Sequence, residues 1–202
     1  MKKYKVDQRT PEWFFLRKGK ITGTGLKSLM GTAYAKDEYF YEILAERLST
    51  GVDEEEYENA MDRGNRLEPD AIAQFEFQTN KTVERVGFVE GDDAMMANSP
   101  DGYIGETEAI EAKCLGGKNH VKMWLKNEIP AEYYWQVIQY FVVNPKLQTV
   151  YFVGYNPDIA MHPLHIIEVP REAVGEDIAK ATKAQEEFII KVEDKLKELV
   201  KL

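Results

Sequence analysis

The chain has 202 residues, 44% hydrophobic and 30% charged, with a formal net charge of −9. That balance fits a globular protein with a sizeable core and excludes a disordered tail or a fibrous rod. The acidity argues against a surface coated with nucleic-acid contacts, and the single cysteine, Cys114, excludes an internal disulfide and fits a reducing cytoplasm.

No apolar run reaches the length needed to cross a bilayer. The N-terminus MKKYKVDQRTPEW is basic but lacks the apolar stretch of a signal peptide. With no repeat and no linker, residues 1–202 read as one domain. Its N-terminal helical part spans about 9–79 and its C-terminal helix about 171–200. Basic residues cluster early: Lys2, Lys3, Lys5, Arg9, Arg17, Lys18, Lys20 and Lys27.

In chain order, Thr10-Pro11-Glu12-Trp13 reads as a helix start, with Thr10 as cap and Pro11 in the first turn. Trp13, Phe14 and Leu16 supply its apolar side, and Gly19 ends it. Ile21-Thr22-Gly23-Thr24-Gly25 is a small-residue turn ahead of Leu26, Leu29 and Met30. Its free N–H groups, its threonine hydroxyls and nearby Arg17 can hold a phosphate. A loop that simply needs small residues has the same composition, and no Gly-Lys-Ser/Thr follows to make a Walker loop.

Asp37 is expected to cap a helix burying Phe40, Ile43, Leu44 and Leu48, stopped at Ser49-Thr50-Gly51. Residues 53–58 are acidic and expected to be exposed. A helix from Asn65 to Thr79 keeps Pro69 in its first turn and turns Ala71, Ile72 and Phe75 inward. Glu68, at its start, either complements the helix N-terminus or serves as a metal ligand.

Thr82–Glu90, Met95–Ser99 and Ala109–Leu115 read as a three-strand meander. Trp124 and Leu125 fall in a short helical piece. Pro130–Val143 is a helix with Tyr134, Val137, Ile138, Phe141 and Val142 on its apolar face; Gln136 lies off that face, either solvated or aimed at a site. Thr149–Tyr155 and Leu164–Val169 are two more strands. His162 and His165 are too few for a zinc site. Val174, Ile178, Ala181, Phe188, Val192, Leu196 and Leu199 form the stripe of a long C-terminal helix.

The chemistry gathers in Asn98–Leu115. Side chains alternate along a strand, so Glu111 and Lys113 share one face and Ile110 and Ala112 the other. If the flanking strands pair, Asp101 approaches Glu111. Two carboxylates and an ammonium on one patch are the minimum set for Mg²⁺-assisted phosphodiester hydrolysis. A surface hairpin with ordinary charges has the same residues. A second Glu-x-Lys, Glu193-Asp-Lys195, lacks the Ser-Pro-Asp-Gly turn and reads as a solvated helix face.

Helices, three strands, helix, two strands and helix, carrying Pro-Asp…Glu-x-Lys, resemble the PD-(D/E)xK nuclease core. That is a restriction-endonuclease-like α/β (α+β) fold with a mixed central sheet flanked by helices. Within it the chain is similar to the phage lambda exonuclease, or YqaJ-like viral recombinase, family. Four blocks carry the resemblance in order over residues 9–155: Arg9–Trp13 with Arg17–Thr22; Gly64–Glu68; Ser99–Gly102 with Ile110–Lys113; and Tyr133–Gln139.

The resemblance implies a Mg²⁺-dependent 5′→3′ exonuclease on linear duplex DNA, leaving 3′ overhangs for a single-strand annealing partner. It implies two ions, with Mn²⁺ able to substitute, held by Asp101, Glu111, Glu68 and the Ala112 carbonyl. Lys113 positions and activates the water, assisted by Gln136. Arg17 and Thr24 bind the 5′-phosphate, and Met61 is an apolar wedge splitting the end base pair. A homotrimeric ring, no membrane contact and a cytoplasmic place in a bacterial host of phage or prophage genes follow from the same likeness. Thr24 stands where Ser is usual, Ala112 is smaller than the usual branched residue, and Leu115-Gly-Gly-Lys118 stands where the family often has a Pro and then an Arg after the lysine, so the resemblance does not carry over that loop's basic contact. Two rivals remain: an endonuclease of the same superfamily, and a non-catalytic DNA-binding adaptor on a nuclease scaffold.

Overall fold

The computed structural model describes the backbone of residues 1–49 and 62–200 and the side chains of 1–49 and 67–200. In order the elements are β1 (Lys2–Tyr4), α1 (Pro11–Arg17), α2 (Gly23–Leu29), α3 (Ala33–Leu48), α4 (Asp62–Thr79), β2 (Phe88–Glu90) and β3 (Ala97–Asn98). There follow β4 (Gly102–Ile104), β5 (Glu108–Cys114), α5 (Gly117–Lys126), α6 (Ala131–Val143), β6 (Thr149–Tyr155), β7 (Leu164–Pro170), a 3₁₀ turn (Arg171–Val174) and α7 (Gly175–Val200).

The main sheet runs β4-β5-β6-β7, with β5 and β6 parallel and the outer pairs antiparallel. The β5–β6 pair is parallel because α5 and α6 form the crossover between them. Residues Val150 to Tyr155 are all buried, as a strand covered on both faces requires. Alternation sorts the two cores. Ile110, Ala112, Tyr151 and Val153 pack with Ala71, Ile72 and Phe75 of α4. Ala109, Val150 and Phe152 face the other way, into a larger core with α2, α3, α6 and α7. Glu111 is thereby on the α6 side. This is the mixed sheet flanked by helices that the resemblance implies.

Several local expectations change. The three-strand meander is divided: β3 belongs to a separate antiparallel sheet, β1-β2-β3. The free edge of β3 is taken by Ile21, which accepts from the Ala97 N–H at 2.9 Å and donates to Met95 O at 2.7 Å. Of Thr82–Glu90 only Phe88–Glu90 is a strand; the Val83 N–H goes to Glu76 Oε1 at 2.7 Å. Asp37 is not a cap. Thr32 caps α3, its hydroxyl accepting from the Ala35 N–H, and Leu48 in the last turn is exposed.

Helix α4 starts at Asp62, so Pro69 lies in its interior, not its first turn. Proline there gives up a helical N–H and crowds the preceding turn, a cost the burial of Ala71, Ile72 and Phe75 offsets. Glu68 is consequently well inside the helix, and its charge is not explained by a helix N-terminus. The acidic run 53–58 and Met61 lie outside the described residues. Among the described residues no helix is long and apolar enough to cross a membrane.

Candidate active site

The β4–β5 hairpin sets the site. Gly102 pairs with Ile110, so Asp101, one residue before β4, falls opposite the continuation of β5. Its Oδ2 accepts the Ala112 N–H at 2.7 Å. In a strand the N–H and C=O of one residue point to the same side. The Ala112 carbonyl therefore also points past the end of β4, away from β6.

Asp101 and Glu111 are both buried, at 8% and 5% exposure. Burial, and then the Glu111 charge, push the Asp101 carboxyl well above the usual carboxylate range. Lys113 Nζ lies 2.5 Å from Glu111 Oε1. Burial opposes the Lys113 charge, but Glu111 and then Asp101 more than compensate and raise it above an ordinary lysine. Lys113 is thus held as an ammonium, and in this arrangement it acts as a fixed cation and hydrogen-bond donor.

Helix α6 supplies the back wall. Tyr133, Gln136 and Tyr140 lie near one another along it by their spacing. The Tyr140 hydroxyl is 2.6 Å from Glu111 Oε2 and 3.0 Å from Ile110 O, and its oxygen accepts the Asp101 N–H at 3.2 Å. One tyrosine touches both acidic residues. Tyr133 puts its ring 5.5 Å from Lys113 Nζ. Gln136 Oε1 is a buried acceptor without a partner, as is the donor Asn98 Nδ2. Both side chains flank Gly23, whose missing Cβ would stand 3.3 Å from Gln136 Cγ and 3.4 Å from Asn98 Oδ1. Gln139 Nε2 holds the Ile21 and Ala97 carbonyls at 3.0 and 3.1 Å, and it is paired with Gln185 of α7.

Arg17 sits at the end of α1 with its guanidinium 4.3 Å from the Trp13 ring centroid. It donates to Ser99 Oγ at 3.0 Å and Thr22 Oγ1 at 3.3 Å, and Thr24 Oγ1 lies 3.3 Å from Thr22 Oγ1. One cation and three hydroxyls converge two residues upstream of Asp101. These are groups that bind a phosphate.

Glu68 is placed differently from the expectation. Its charge adds to the forces raising the Asp101 carboxyl, so it is in electrostatic range. Its oxygens, however, are engaged by Arg85 at 2.6 Å and Arg9 at 3.6 Å. Among the described residues no group of three or more His, Cys, Asp or Glu is placed to hold a metal. Asp101, Glu111 and Lys113 are brought together; Glu68 stands beside them on two arginines.

A divalent cation fits this donor set. Asp101 and Glu111 are adjoining buried carboxylates, and burial and then the Glu111 charge disfavour the Asp101 anion, which a cation between the two would stabilise. Each carboxylate oxygen has more lone pairs than the one bond it accepts here. A third oxygen, the Ala112 carbonyl, faces the same side, and hard oxygen donors are what Mg²⁺ takes.

Tyr140, Ser99 and Asn98 were not singled out by the sequence pattern. The available signal was polar Gln136, Gln139 and Tyr140 interrupting an apolar helix face. His120, His162 and His165 also meet, with His162 Nε2 at 3.0 Å from His165 Nδ1 and the His162 ring stacked on Trp124. They join α5 to the β6–β7 turn and the start of β7.

A hairpin that delivers Pro-Asp opposite Glu-x-Lys, on a mixed sheet between helices, defines the PD-(D/E)xK class of fold. The sequence model of the YqaJ-like viral recombinase domain matches residues 12–147, and the chain belongs to that family. An alkaline exonuclease from Laribacter hongkongensis is similar in structure, with a TM-score of 0.80 at 26% identity over 95% of this chain and 99% of that one. Its complex with dAMP matches at 0.78, with the same identity and coverage. A phage related exonuclease from Haemophilus somnus, at 13% identity and a TM-score of 0.58 over 92% of this chain and 99% of that one, shares the fold. No curated protein matches the chain.

Proposed function

We propose that the protein is a Mg²⁺-dependent exonuclease that digests linear duplex DNA in the 5′→3′ direction and leaves 3′ overhangs for a single-strand annealing partner. The nuclease part of this reading is supported by the family match and by the likeness to an alkaline exonuclease. The observation that carries it is the convergence of Asp101, Glu111 and Lys113 two residues from the Arg17–Ser99–Thr22 cluster.

Asp101, Glu111 and the Ala112 carbonyl would hold Mg²⁺, with Glu68 added if it leaves Arg85 and Arg9. The ion, when bound, polarises the scissile phosphoryl oxygen and neutralises its charge. Lys113 donates to and orients the attacking water from the α6 side, and its charge stabilises the developing anion. Gln136 offers a carboxamide to the same water. Tyr140 fixes the Glu111 carboxylate and the Asp101 backbone against each other. Arg17, Thr22, Thr24 and Ser99 seat the terminal 5′-phosphate, which sets direction by admitting an end. Met61 belongs to this reading as the end-splitting wedge.

A ring of three subunits around the duplex would reconcile a net charge of −9 with DNA binding, basic groups lining the inside and acidic groups outside.

The test is incubation with linear 5′-phosphorylated duplex and with closed circular plasmid, each with and without Mg²⁺. Digestion of the linear duplex alone, and only with Mg²⁺, is expected. Cutting of the circle would favour the endonuclease, and inertness towards both would favour the adaptor.

A further inference from the structure

Helix α5 carries Lys118, Lys122 and Lys126 at intervals of four, which aligns them on one face. All three are exposed, while His120 and Met123 form the buried side. No Asp or Glu occurs between Gly117 and Lys126, in a chain with 35 acidic residues. Three of the five lysines of α7 make a contrast, for Lys183, Lys195 and Lys197 are matched by Glu187, Glu198 and Asp194 within a turn. Among the described residues, none of the three α5 lysines has an ion pair.

The position of the helix gives this charge a meaning. Gly154 pairs with Lys113 across the β5–β6 ladder, and paired residues of neighbouring strands point to the same face of a sheet. A Cβ on Gly154 would stand 2.6 Å from Met123 Sδ. Met123 therefore occupies the side-chain space beside Lys113, and the absence of a side chain on Gly154 leaves room for it. The helix begins three residues after Cys114, the last residue of β5. The helix thus packs on the same sheet face, and starts from the same end of β5, as the Glu111–Lys113 pair, with its lysines turned outward to solvent.

We infer that Lys118, Lys122 and Lys126 form a phosphate-tracking stripe that holds the backbone of the duplex beside the scissile bond. Successive lysines four apart lie about 6 Å from each other along the helix axis, close to the spacing of phosphates along a strand. An acidic protein gains most from such a local concentration of charge, because binding strength follows the phosphates neutralised at the contact surface. This inference rests on the proposed DNA-directed function.

The experiment is fluorescence anisotropy of a labelled linear 5′-phosphorylated duplex. Ca²⁺ replaces Mg²⁺ to arrest hydrolysis, and affinity is read across a KCl series. Three proteins are compared: wild type, the triple variant Lys118→Gln, Lys122→Gln, Lys126→Gln, and a charge-matched control with Lys183→Gln, Lys195→Gln, Lys197→Gln. The α5 triple variant is expected to lower the slope of log affinity against log salt by about three, roughly one per lost contact. The control should keep the wild-type slope, and the triple Lys→Arg variant on α5 should retain it. Equal slope changes in the two Gln variants would reduce the effect to net charge and overturn the stripe, as would an unchanged slope in the α5 variant. Failure of the wild-type protein to bind duplex at all would overturn the DNA-directed function itself.

Discussion

Tyr140 and Glu111 are joined by a 2.6 Å hydrogen bond between two buried side chains. The tyrosine sits 29 residues downstream, on a helix, and the acid on a strand. The bond fixes one rotamer of a carboxylate that, in the proposed function, would present its remaining lone pairs to a cation. A hydrogen bond to a charged group is worth about 1.5–3 kcal/mol. Tyr140→Phe keeps the ring and removes only the hydroxyl. Exonuclease turnover is expected to fall roughly 10- to 100-fold, the same energy expressed as a rate, with a higher Mg²⁺ requirement. Wild-type turnover at limiting Mg²⁺ would mean that Glu111 is held by other contacts.

Lys113→Ala removes the ammonium beside Glu111 without adding bulk. Hydrolysis should drop by at least about 100-fold, the scale of losing one aimed electrostatic donor, while duplex binding in Ca²⁺ stays near wild type. Single-turnover digestion with anisotropy as the binding control measures both. Normal digestion by this variant would place the chemistry elsewhere.

Arg17→Ala unties Ser99 and Thr22 from the guanidinium. Digestion of 5′-phosphorylated ends should slow most, narrowing their advantage over 5′-hydroxyl ends. Parallel time courses on the two substrates give the ratio. Equal slowing on both would assign Arg17 to general backbone contact or to folding.

Assembly is tested by light scattering coupled to size exclusion at several concentrations. A mass three times the 23.2 kDa of the chain is expected. A monomer at every concentration, with and without linear DNA, would remove the ring and leave the acidic balance to the α5 stripe alone.

Gly87 tests the packing that supports the phosphate cluster. A Cβ there would strike the Val6 carbonyl, a backbone group that cannot rotate away, and Gly87 O accepts the Trp13 indole N–H at 3.0 Å. Gly87→Ala is expected to destabilise the protein by about 1–3 kcal/mol, the usual cost of forced overpacking, seen as a lower thermal midpoint. An unchanged midpoint would show that the N-terminal segment can move away freely.

The sequence by itself determined what depends on near neighbours. Strand alternation put Glu111 and Lys113 on one face and Ile110 and Ala112 on the other, and the burial of Ile110 and Ala112 against α4 bears this out. The Thr10-Pro11 helix start was legible for the same reason, since caps are local, and so were Val137, Ile138 and Phe141 on the buried side of α6, whereas the burial of Gln139 and Tyr140 beside them was not. Tertiary structure decided the pairings between distant segments. Ile21 took the edge of β3 and so divided the expected meander. Arg17 met Ser99 across 82 residues, Tyr140 reached both Asp101 and Glu111, and Arg9 and Arg85 claimed Glu68. A sequence read by period ranks the faces of each element, but it does not say which of several possible donors reaches a given carboxylate. That choice is made by the packing of α1, α2, α4 and α6 around one hairpin, where burial penalises any polar group left without a partner.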